Sequence, residues 1–407
     1  MARRDARARG LRLGRPIVAA EGSLLTGFTL SDDLDELRAS VRRLAEDKIA
    51  PHAARADEEE QYPWESWRAW RDAGFAGLAF PEEVGGQGGG FLAHALCVEE
   101  VARVCASSSL FTFISKLAMT PVIDHGAPGL RQKYVTRVAS GECQASYCLS
   151  EADAGSDVAG MRAKAVRDGD HYVLTGRKLW ITNAGVSDFY TVFAKTDPGA
   201  GHRGISCFVV EKDFAGFSVS KLEHKLGVRG SPTGEVVLDE CVVPAENLVG
   251  EPGRGFAYAM GALDRSRPLV GAQALGIAQG ALDLATGYVQ EREQFGRRIA
   301  GFQGLQFMLA DMAIEIEAAR RLVYYAARLA EEDHRRFRPI SAKAKCFASD
   351  VAMRVTTDAV QVMGGMGYIR ECPVERMMRD AKILQIFEGT NQLMRVLVAR
   401  DLLGRLE

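Results

Sequence analysis

The sequence lacks the features typical of proteins that bind nucleic acid, hold a metal ion or span a membrane. Its formal net charge is −2 at pH 7, so the basic excess of a nucleic-acid-binding protein is missing. The eight cysteines are scattered without a CxxC pair, a spacing that suits neither a zinc site nor a disulfide framework. No apolar run approaches the roughly 18 residues of a membrane span. We therefore expect reduced thiols, no metal site, no nucleic-acid partner, no integral membrane association and a cytoplasmic location.

Common nucleotide and hydrolase signatures are absent as well. The chain has no GxxxxGK[ST], HExxH or GxSxG motif. Gly253 and Gly255 open like a dinucleotide-binding turn, but the third position is Tyr258 and no βαβ unit surrounds it. We interpret this segment as a linker that leads into a helix.

The chain is long enough for more than one core. Its 407 residues are 47% hydrophobic and 26% charged, which is typical of a globular protein with two or three subdomains. The DGD triplet at 168–170 reads as a hairpin turn between two β-type runs. We predict an α+β fold with an N-terminal α-helical domain over residues 29–142, a central β-sheet domain over 143–252 and a C-terminal α-helical bundle over 253–407.

Helical periodicity is clear at both ends of the chain. Ser31 is a candidate N-cap of a helix over residues 31–51, in which Asp32 and Asp33 suit the positive end. Pro51 is expected to end this helix or to lie just past its end. Further helices are predicted over residues 64–76, 91–119, 257–290, 302–332 and 340–365.

The first twenty residues are rich in arginine and contain a single acid. Pro16 and two glycines interrupt any helix there, and the apolar part is too short for the core of a secretory signal. A targeting segment stays an alternative. We favour a disordered or loosely packed N-terminal extension over residues 1–28.

Four short stretches combine small, polar and aromatic residues in an unusual way. They are YCLSEADAGSD (147–157), LWITNA (179–184), EREQFG (291–296) and QVMGGMGY (361–368). Small residues beside Ser150 would let a ligand reach backbone N–H groups, although an ordinary strand-to-loop turn fits this stretch equally well.

The other three stretches also have plain structural readings. Trp180 and Thr182 share one face of a presumed strand and could pack against a ring and donate a hydrogen bond, although tryptophan is more often a core residue. Arg292 could meet a phosphate or be a solvated charge on a helix. Gly364 and Gly365 allow close backbone approach or simply cap a helix.

A lone carboxylate stands in IFEGTNQ (386–392). The nearest acid to Glu388 is Asp380, and residues 383–387 are uncharged. Apolar neighbours would bury the carboxylate, and burial raises its pKa and makes it a stronger base. A solvated acid at a helix end is the alternative reading.

Taken in this order, these stretches resemble the acyl-CoA dehydrogenase family of flavoproteins over about residues 29–404. The matching motifs are YCxSExxAGSD, WITN, LDxxRP, RxQFG, QxxGGxGY, MRDAKI and FEGTNQ. The resemblance implies a central β domain between an N-terminal α domain and a C-terminal four-helix bundle, with FAD between sheet and bundle. It also implies a homotetramer, a dimer of dimers, because family members share their sites between protomers.

The resemblance assigns one group of residues to FAD. The 147–156 strand and loop would meet the isoalloxazine ring, Trp180 would pack against it and Thr182 would bond near N5. The pyrophosphate and adenosine would be bound across a subunit boundary. The expected cofactor-binding residues are Tyr147, Leu149, Ser150, Gly155, Ser156, Trp180, Ile181, Thr182, Arg292, Gln294, Phe295, Phe302, Gln303, Gln361, Val362, Gly364, Gly365, Thr390, Asn391 and Gln392.

The reaction that the resemblance implies is the α,β-dehydrogenation of an acyl-CoA to the trans-2-enoyl-CoA. Glu388 would take the α-proton, flavin N5 the β-hydride, and electron-transfer flavoprotein the electrons. Some branched-chain members carry the base where this chain has Ser266, which cannot serve as one. Expected substrate contacts are Ser156, Asp264, Arg267, Phe387 and Gly389.

A short- to medium-chain acyl group, with or without a methyl branch, is the preferred substrate. Glutaryl-type members carry an arginine at the place aligned with Val98, so a dicarboxylic substrate is disfavoured. Two alternatives remain for the function as a whole. They are an acyl-CoA oxidase that uses O2, and a flavin- or acyl-CoA-binding scaffold without turnover.

Overall fold

The computed structural model describes residues 29–332 and 336–404, so the predicted extension over 1–28 lies outside the described residues. Helices build the N-terminal part, and one of its cores is centred on Trp67, Trp70 and Phe111. These helices are α1 (Asp32–Leu44), α2 (Ala50–Glu59), α3 (Trp64–Asp72), α4 (Gly90–Ala102), α5 (Ala106–His125), α6 (Pro128–Leu130) and α7 (Thr136–Ala139).

The prediction that the first helix ends at Pro51 is wrong. A wide π-type turn over Ala45–Ile49 follows α1, and α2 then continues to Glu59 with Pro51 in its first turn. Proline has no N–H and its ring displaces the carbonyl four residues earlier, so the widened turn accommodates it without ending the helix. Ser31 does occupy the N-cap position, but its hydroxyl makes no capping hydrogen bond.

The predicted helix over 91–119 is two helices rather than one. The chain leaves the helical conformation at Cys105, whose backbone is extended and whose Sγ accepts a hydrogen bond from the Ser108 N–H at 3.4 Å. The thiol therefore acts as the N-cap of α5, a role more often taken by a hydroxyl or carboxylate.

By length and composition α5 could cross a membrane, in contrast to the expectation from the sequence. Within the described ranges it is the one helix of this kind, and 83% of its apolar window is buried inside the protein. Such burial is typical of the core helix of a soluble protein.

The central domain is a seven-stranded sheet in the order β1-β4-β2-β3-β7-β6, with β5 paired to β4. Its β2–β3 hairpin turns at residues 168–170 as predicted, and β1 runs parallel to β4. The strands are β1 (Ala145–Cys148), β2 (Lys164–Asp168), β3 (His171–Thr182), β4 (Phe189–Lys195), β5 (Ile205–Glu211), β6 (Phe217–Leu222) and β7 (Thr233–Pro244).

Long helices build the C-terminal part, close to the predicted bounds. A small hairpin of β8 (Glu293–Gln294) and β9 (Arg297–Arg298) separates the first two of them. The helices are α8 (Gly255–Glu291), α9 (Gln303–Glu331), α10 (Phe337–Met363), α11 (Pro373–Ala381) and α12 (Asn391–Leu403).

Helix α8 is the element that joins the N-terminal and C-terminal parts. A Cβ added at Gly276 would lie 2.1 Å from the Glu99 carbonyl oxygen of α4, and one at Gly271 would lie 2.8 Å from the Val323 side chain of α9. These close approaches fix α8 between the two helical layers, and they fix the position of the residues near its start.

Candidate active site

Glu388 lies in a tight turn between a short 3₁₀ helix and α12. It has a φ of 53° and Gly389 has a φ of 96°, so two successive residues are left-handed. This conformation is uncommon for a glutamate and needs support from its surroundings. Glu388 Oε1 is shut off from solvent and has no hydrogen-bond partner among the described residues. The turn thus presents a carboxylate oxygen that the chain itself leaves free.

The other carboxylate oxygen of Glu388 is held by Ser266, the residue at the place where some branched-chain members carry the base. The Ser266 hydroxyl, on α8, donates a hydrogen bond to Glu388 Oε2. The two residues are 122 positions apart in the chain. Ser266 therefore lies at the same site as Glu388, as a donor to the carboxylate and not as a base.

Burial raises the pKa of Glu388 to about 7, although the Ser266 hydroxyl and the charges of Arg267 and Lys345 act in the opposite direction. A carboxylate with a pKa near neutrality is matched to proton abstraction at physiological pH. The reading of Glu388 as a solvated acid at a helix end is therefore not supported by its environment.

Two buried cations hold the backbone of this turn. The Arg267 Nε lies 3.4 Å from the Glu388 carbonyl oxygen, and the Lys345 Nζ donates to the Gly389 carbonyl oxygen at 2.7 Å. Arg267 also forms an ion pair with Asp264, which lies 2.9 Å from Arg338. Asp264 and Arg267 thus brace the turn from α8.

The loop after β1 is anchored to β3 by a buried ion pair that the sequence patterns did not indicate. The Lys178 Nζ donates to Glu151 Oε1 at 2.8 Å and to the Leu149 carbonyl oxygen at 3.1 Å, and Lys178 is 0% exposed. Glu151 also accepts hydrogen bonds from the backbone N–H groups of Arg162 and Ala163. The position of Ser150 depends on this pair.

Trp180 is not a core residue. It has a φ of 63°, it follows a register shift after Lys178, and it is 61% exposed. The preceding N–H of Leu179 donates to the Ser150 carbonyl oxygen at 2.9 Å, so the exposed indole lies next to the loop after β1. An exposed indole beside a loop of small residues fits the flat ring of FAD.

The sheet and the base approach each other through Tyr147. Its side chain is partly buried, and its hydroxyl donates to the Ala259 carbonyl oxygen of α8 at 3.1 Å. The charge of Glu388 adds to the desolvation that raises the pKa of Tyr147. Among the other expected residues of this region, Leu149 and Ile181 are buried in the sheet cores, whereas Gly155 and Ser156 are exposed.

The expected pyrophosphate and adenosine residues lie far from Glu388 in the same chain. Arg292 follows the end of α8, roughly 40 Å along the helix from Ser266 at 1.5 Å per residue. Phe295 is 92% exposed at the tip of the β8–β9 hairpin. Gln294 is exposed as well, and Phe302 and Gln303 begin α9.

The glycine pair follows the end of α10, roughly 28 Å along the helix from Lys345 at the Glu388 turn at 1.5 Å per residue, and its surroundings are open. Gly364 has a φ of 61° at the C-terminus of α10, and added Cβ atoms at Gly364 and Gly365 would meet nothing within 4 Å. Gln361 is exposed, whereas Val362 is buried. Within one chain, the residues expected around the flavin ring are therefore separate from those expected around the pyrophosphate and adenosine.

The residues after the base contribute mainly to the start of α12. The Thr390 hydroxyl caps this helix by accepting from the Leu393 N–H at 3.2 Å, and Gln392 is exposed. The Asn391 side chain is buried and bonds Lys345 and Ser349. Its amide is thus occupied within the protein.

A cavity of about 50 Å³ adjoins Ser266 between α4, α5 and α8. Phe91 and Leu269 give it an apolar wall, and His94 and Lys116 add nitrogen atoms. Burial lowers the pKa of His94 to about 4 and that of Lys116 to about 8, so the histidine is neutral at physiological pH. The cavity thus lies beside the residue that donates to the base.

Comparisons with known proteins identify the family of this chain. Models of the N-terminal, middle and C-terminal domains of acyl-CoA dehydrogenases match residues 31–142, 146–241 and 253–403. The chain is 52% identical to the probable acyl-CoA dehydrogenase FadE25 of Mycobacterium tuberculosis over 92% of its own length and 97% of that protein.

Solved structures show the same architecture. Butyryl-CoA dehydrogenase from Megasphaera elsdenii superposes with a TM-score of 0.90 at 41% identity, covering 92% of this chain and 99% of that one. A chain from the structure of the electron transferring flavoprotein of Acidaminococcus fermentans gives a TM-score of 0.91 at 45% identity, covering 93% and 100%. The chain therefore belongs to the acyl-CoA dehydrogenase family, whose members are oxidoreductases acting on CH–CH bonds.

Proposed function

We propose that this protein uses FAD to convert a short- to medium-chain acyl-CoA, straight or methyl-branched, to the trans-2-enoyl-CoA, with Glu388 as the base. The observation that carries the proposal is the buried Glu388 carboxylate, with one oxygen free and a pKa raised to about 7. The α-carbon of a thioester gives up a proton only to a base that is well placed and sufficiently strong.

The chain's own residues prepare the proton transfer. Ser266 orients the carboxylate through Oε2 and leaves Oε1 to approach the α-proton. Arg267 helps to hold the turn through the Glu388 carbonyl oxygen. The Glu388 backbone N–H, which makes no hydrogen bond within the described ranges, would donate to the thioester oxygen. Phe387 and Gly389 flank the base and would contact the acyl thioester, and Ser156 would contact the CoA arm.

The residues present fit FAD. Trp180, Thr182 and the Ser150 loop would hold the isoalloxazine ring on the sheet side, and Thr390 with Gln392 would complete that end. When bound, FAD supplies the acceptor of the β-hydride at flavin N5. The distant groups at Arg292 and at Gly364–Gly365 would hold the pyrophosphate and adenosine of a cofactor whose ring lies in another protomer.

This separation supports a homotetramer, since a single chain does not bring the residues for the flavin ring together with those for the pyrophosphate and adenosine. Electron-transfer flavoprotein is the proposed electron acceptor, and the similarity to a chain from the Acidaminococcus electron transferring flavoprotein structure supports it. The butyryl-CoA dehydrogenase similarity and the small cavity at Ser266 support a short acyl group. Eight free cysteines, seven of them buried, support a reducing cytoplasmic location.

The function is tested with a panel of acyl-CoA thioesters from short to long, straight and branched. We expect anaerobic bleaching of the flavin absorbance by short- and medium-chain members, with little peroxide formed when air is admitted without an electron acceptor. A yellow protein that no member of the panel bleaches would contradict the function. Rapid peroxide formation would instead identify an oxidase.

The pKa of Glu388 predicts how the reaction depends on pH. Only the ionised carboxylate accepts a proton, so the rate of flavin reduction should rise about tenfold per pH unit below pH 7 and level off above it. Stopped-flow reduction at substrate concentrations well below saturation, which reports the free enzyme, measures this profile between pH 5.5 and about 9. A rate that is flat through pH 7 would exclude a base with this pKa.

A further inference from the structure

Lys345, on α10, is a buried cation close to the base that no sequence motif singled out. It is 0% exposed, and its Nζ donates to the Gly389 carbonyl oxygen at 2.7 Å and to Asn391 Oδ1 at 3.0 Å. In the part of the chain that the structure describes, no acid lies within 4.0 Å of this ammonium group. Burying an unpaired charge is costly, so a cation at this position calls for an explanation.

Hydrogen bonding alone does not require a charge at this position. A neutral donor would satisfy the Gly389 carbonyl oxygen, and Asn391 Oδ1 also accepts from the Ser349 hydroxyl at 3.2 Å. What the charge adds is an electric field at a carboxylate one residue from the carbonyl that Lys345 holds. Burial lowers the pKa of Lys345 to about 8, and the charge of Glu388 acts against that lowering.

The groups that face Glu388 come from three elements. From α8, the Ser266 hydroxyl bonds its carboxylate and the Arg267 guanidinium contacts its carbonyl oxygen. From β1, the Tyr147 hydroxyl lies within electrostatic range, and from α10 comes Lys345. Arg267 forms an ion pair with Asp264, whereas Lys345 makes no ion pair within 4.0 Å in the described ranges. Arg267 and Lys345 both lower the pKa of Glu388, Arg267 more strongly, and Asp350 acts on Lys345 at longer range.

We propose that Lys345 is a positioning residue for the base: its ammonium group fixes the left-handed Glu388–Gly389 turn through the Gly389 carbonyl oxygen, and its charge keeps the Glu388 carboxylate ionised near neutral pH. This inference rests on the proposed function in that Glu388 is the base. It adds that the chain places a buried cation near this carboxylate, and that without this cation burial would raise the pKa of Glu388 further.

Three variants of the holoenzyme separate the charge from the hydrogen bond. Lys345→Gln keeps a donor and removes the charge, so the midpoint of the pH–rate profile should move up by about 1 unit while the plateau at high pH stays near wild type. Lys345→Met removes both, and its plateau should fall as well. Lys345→Arg keeps the charge and should retain the wild-type midpoint. A wild-type midpoint in both Lys345→Gln and Lys345→Met would overturn the proposal.

A matched control lies two residues away on the same helix. Lys343 is partly exposed and lies 3.9 Å from Asp401, so Lys343→Met removes a lysine from α10 without touching the turn. Its midpoint and plateau should match wild type. An equal shift in Lys343→Met would show that the effect is not specific to the cation at the turn.

A second readout does not depend on turnover. The carbonyl stretch of the protonated Glu388 carboxyl, identified as the infrared band missing in Glu388→Gln, should titrate about 1 unit higher in Lys345→Gln than in wild type. If the acyl-CoA panel fails but this shift appears, the proposed function falls and the role of Lys345 stands. If turnover is present and the titration does not move, the role of Lys345 falls alone.

Discussion

Replacing Glu388 by glutamine should lower the rate of flavin reduction by roughly two to four orders of magnitude, while FAD and acyl-CoA still bind. Glutamine has nearly the same shape, and its amide oxygen can accept the Ser266 hydroxyl as Oε2 does. It cannot accept the α-proton. Anaerobic stopped-flow reduction with the best acyl-CoA of the panel measures the loss, and flavin absorbance per subunit reports binding. A variant that reduces its flavin at the wild-type rate would remove Glu388 from its assigned role.

The same variant carries its own control for folding. Because the pKa of Glu388 is raised from 4.5 to about 7 in the folded protein, the folded state binds the extra proton between these pH values and wild type loses stability as the pH rises through them. Glu388→Gln lacks this loss. The free energy of unfolding of the variant minus that of wild type should therefore increase by about 2–3 kcal/mol from pH 5 to pH 8, so the variant gains stability relative to wild type. Glu371→Gln, which also removes one carboxylate but at an exposed position, is the matched control.

Features that depend on local pattern were predictable from the sequence. The long amphipathic segments became α8, α9 and α10 because their apolar stripes repeat at the helical period. The DGD triplet became the β2–β3 turn because aspartate and glycine suit its backbone conformation. The uncharged residues before Glu388 indicated burial, and Glu388 Oε1 is shut off from solvent, although Ile386 itself is 49% exposed.

Features that depend on distant partners were not predictable in this way. Ser266 and Glu388 are 122 positions apart, and no periodicity in the sequence indicates that the Ser266 hydroxyl reaches the Glu388 carboxylate. Lys178 and Lys345 sit within regular strand and helix patterns where a lysine reads as a solvent-facing residue, yet both are fully buried. Only the packing of β3 against the loop after β1, and of α10 against α12, reveals what their charges meet.

Replacing Lys178 by methionine should destabilise the protein by about 3–5 kcal/mol and strip much of its FAD. The substitution leaves Glu151 as a buried carboxylate without its cation. Burial alone would raise the pKa of Glu151, but Lys178 and two backbone N–H groups hold it below its usual range. Loss of Lys178 also frees the Leu149 carbonyl oxygen and so loosens the loop that carries Ser150. Urea unfolding and flavin absorbance per subunit measure the two effects.

A double substitution decides whether the ion pair itself is responsible. In Lys178→Met/Glu151→Gln the buried charge is gone from both partners, so most of the lost stability should return, since breaking a buried pair costs more than replacing it. Arg177→Met is the matched control, because Arg177 is exposed and lies 3.3 Å from Glu235, and it should cost less than about 1 kcal/mol. If the double variant is as unstable as Lys178→Met, the loop depends on the hydrogen bond from Lys178 to the Leu149 carbonyl oxygen and not on the charges of the pair. If FAD binding returns together with stability, the pair acts on the cofactor through the position of the Ser150 loop.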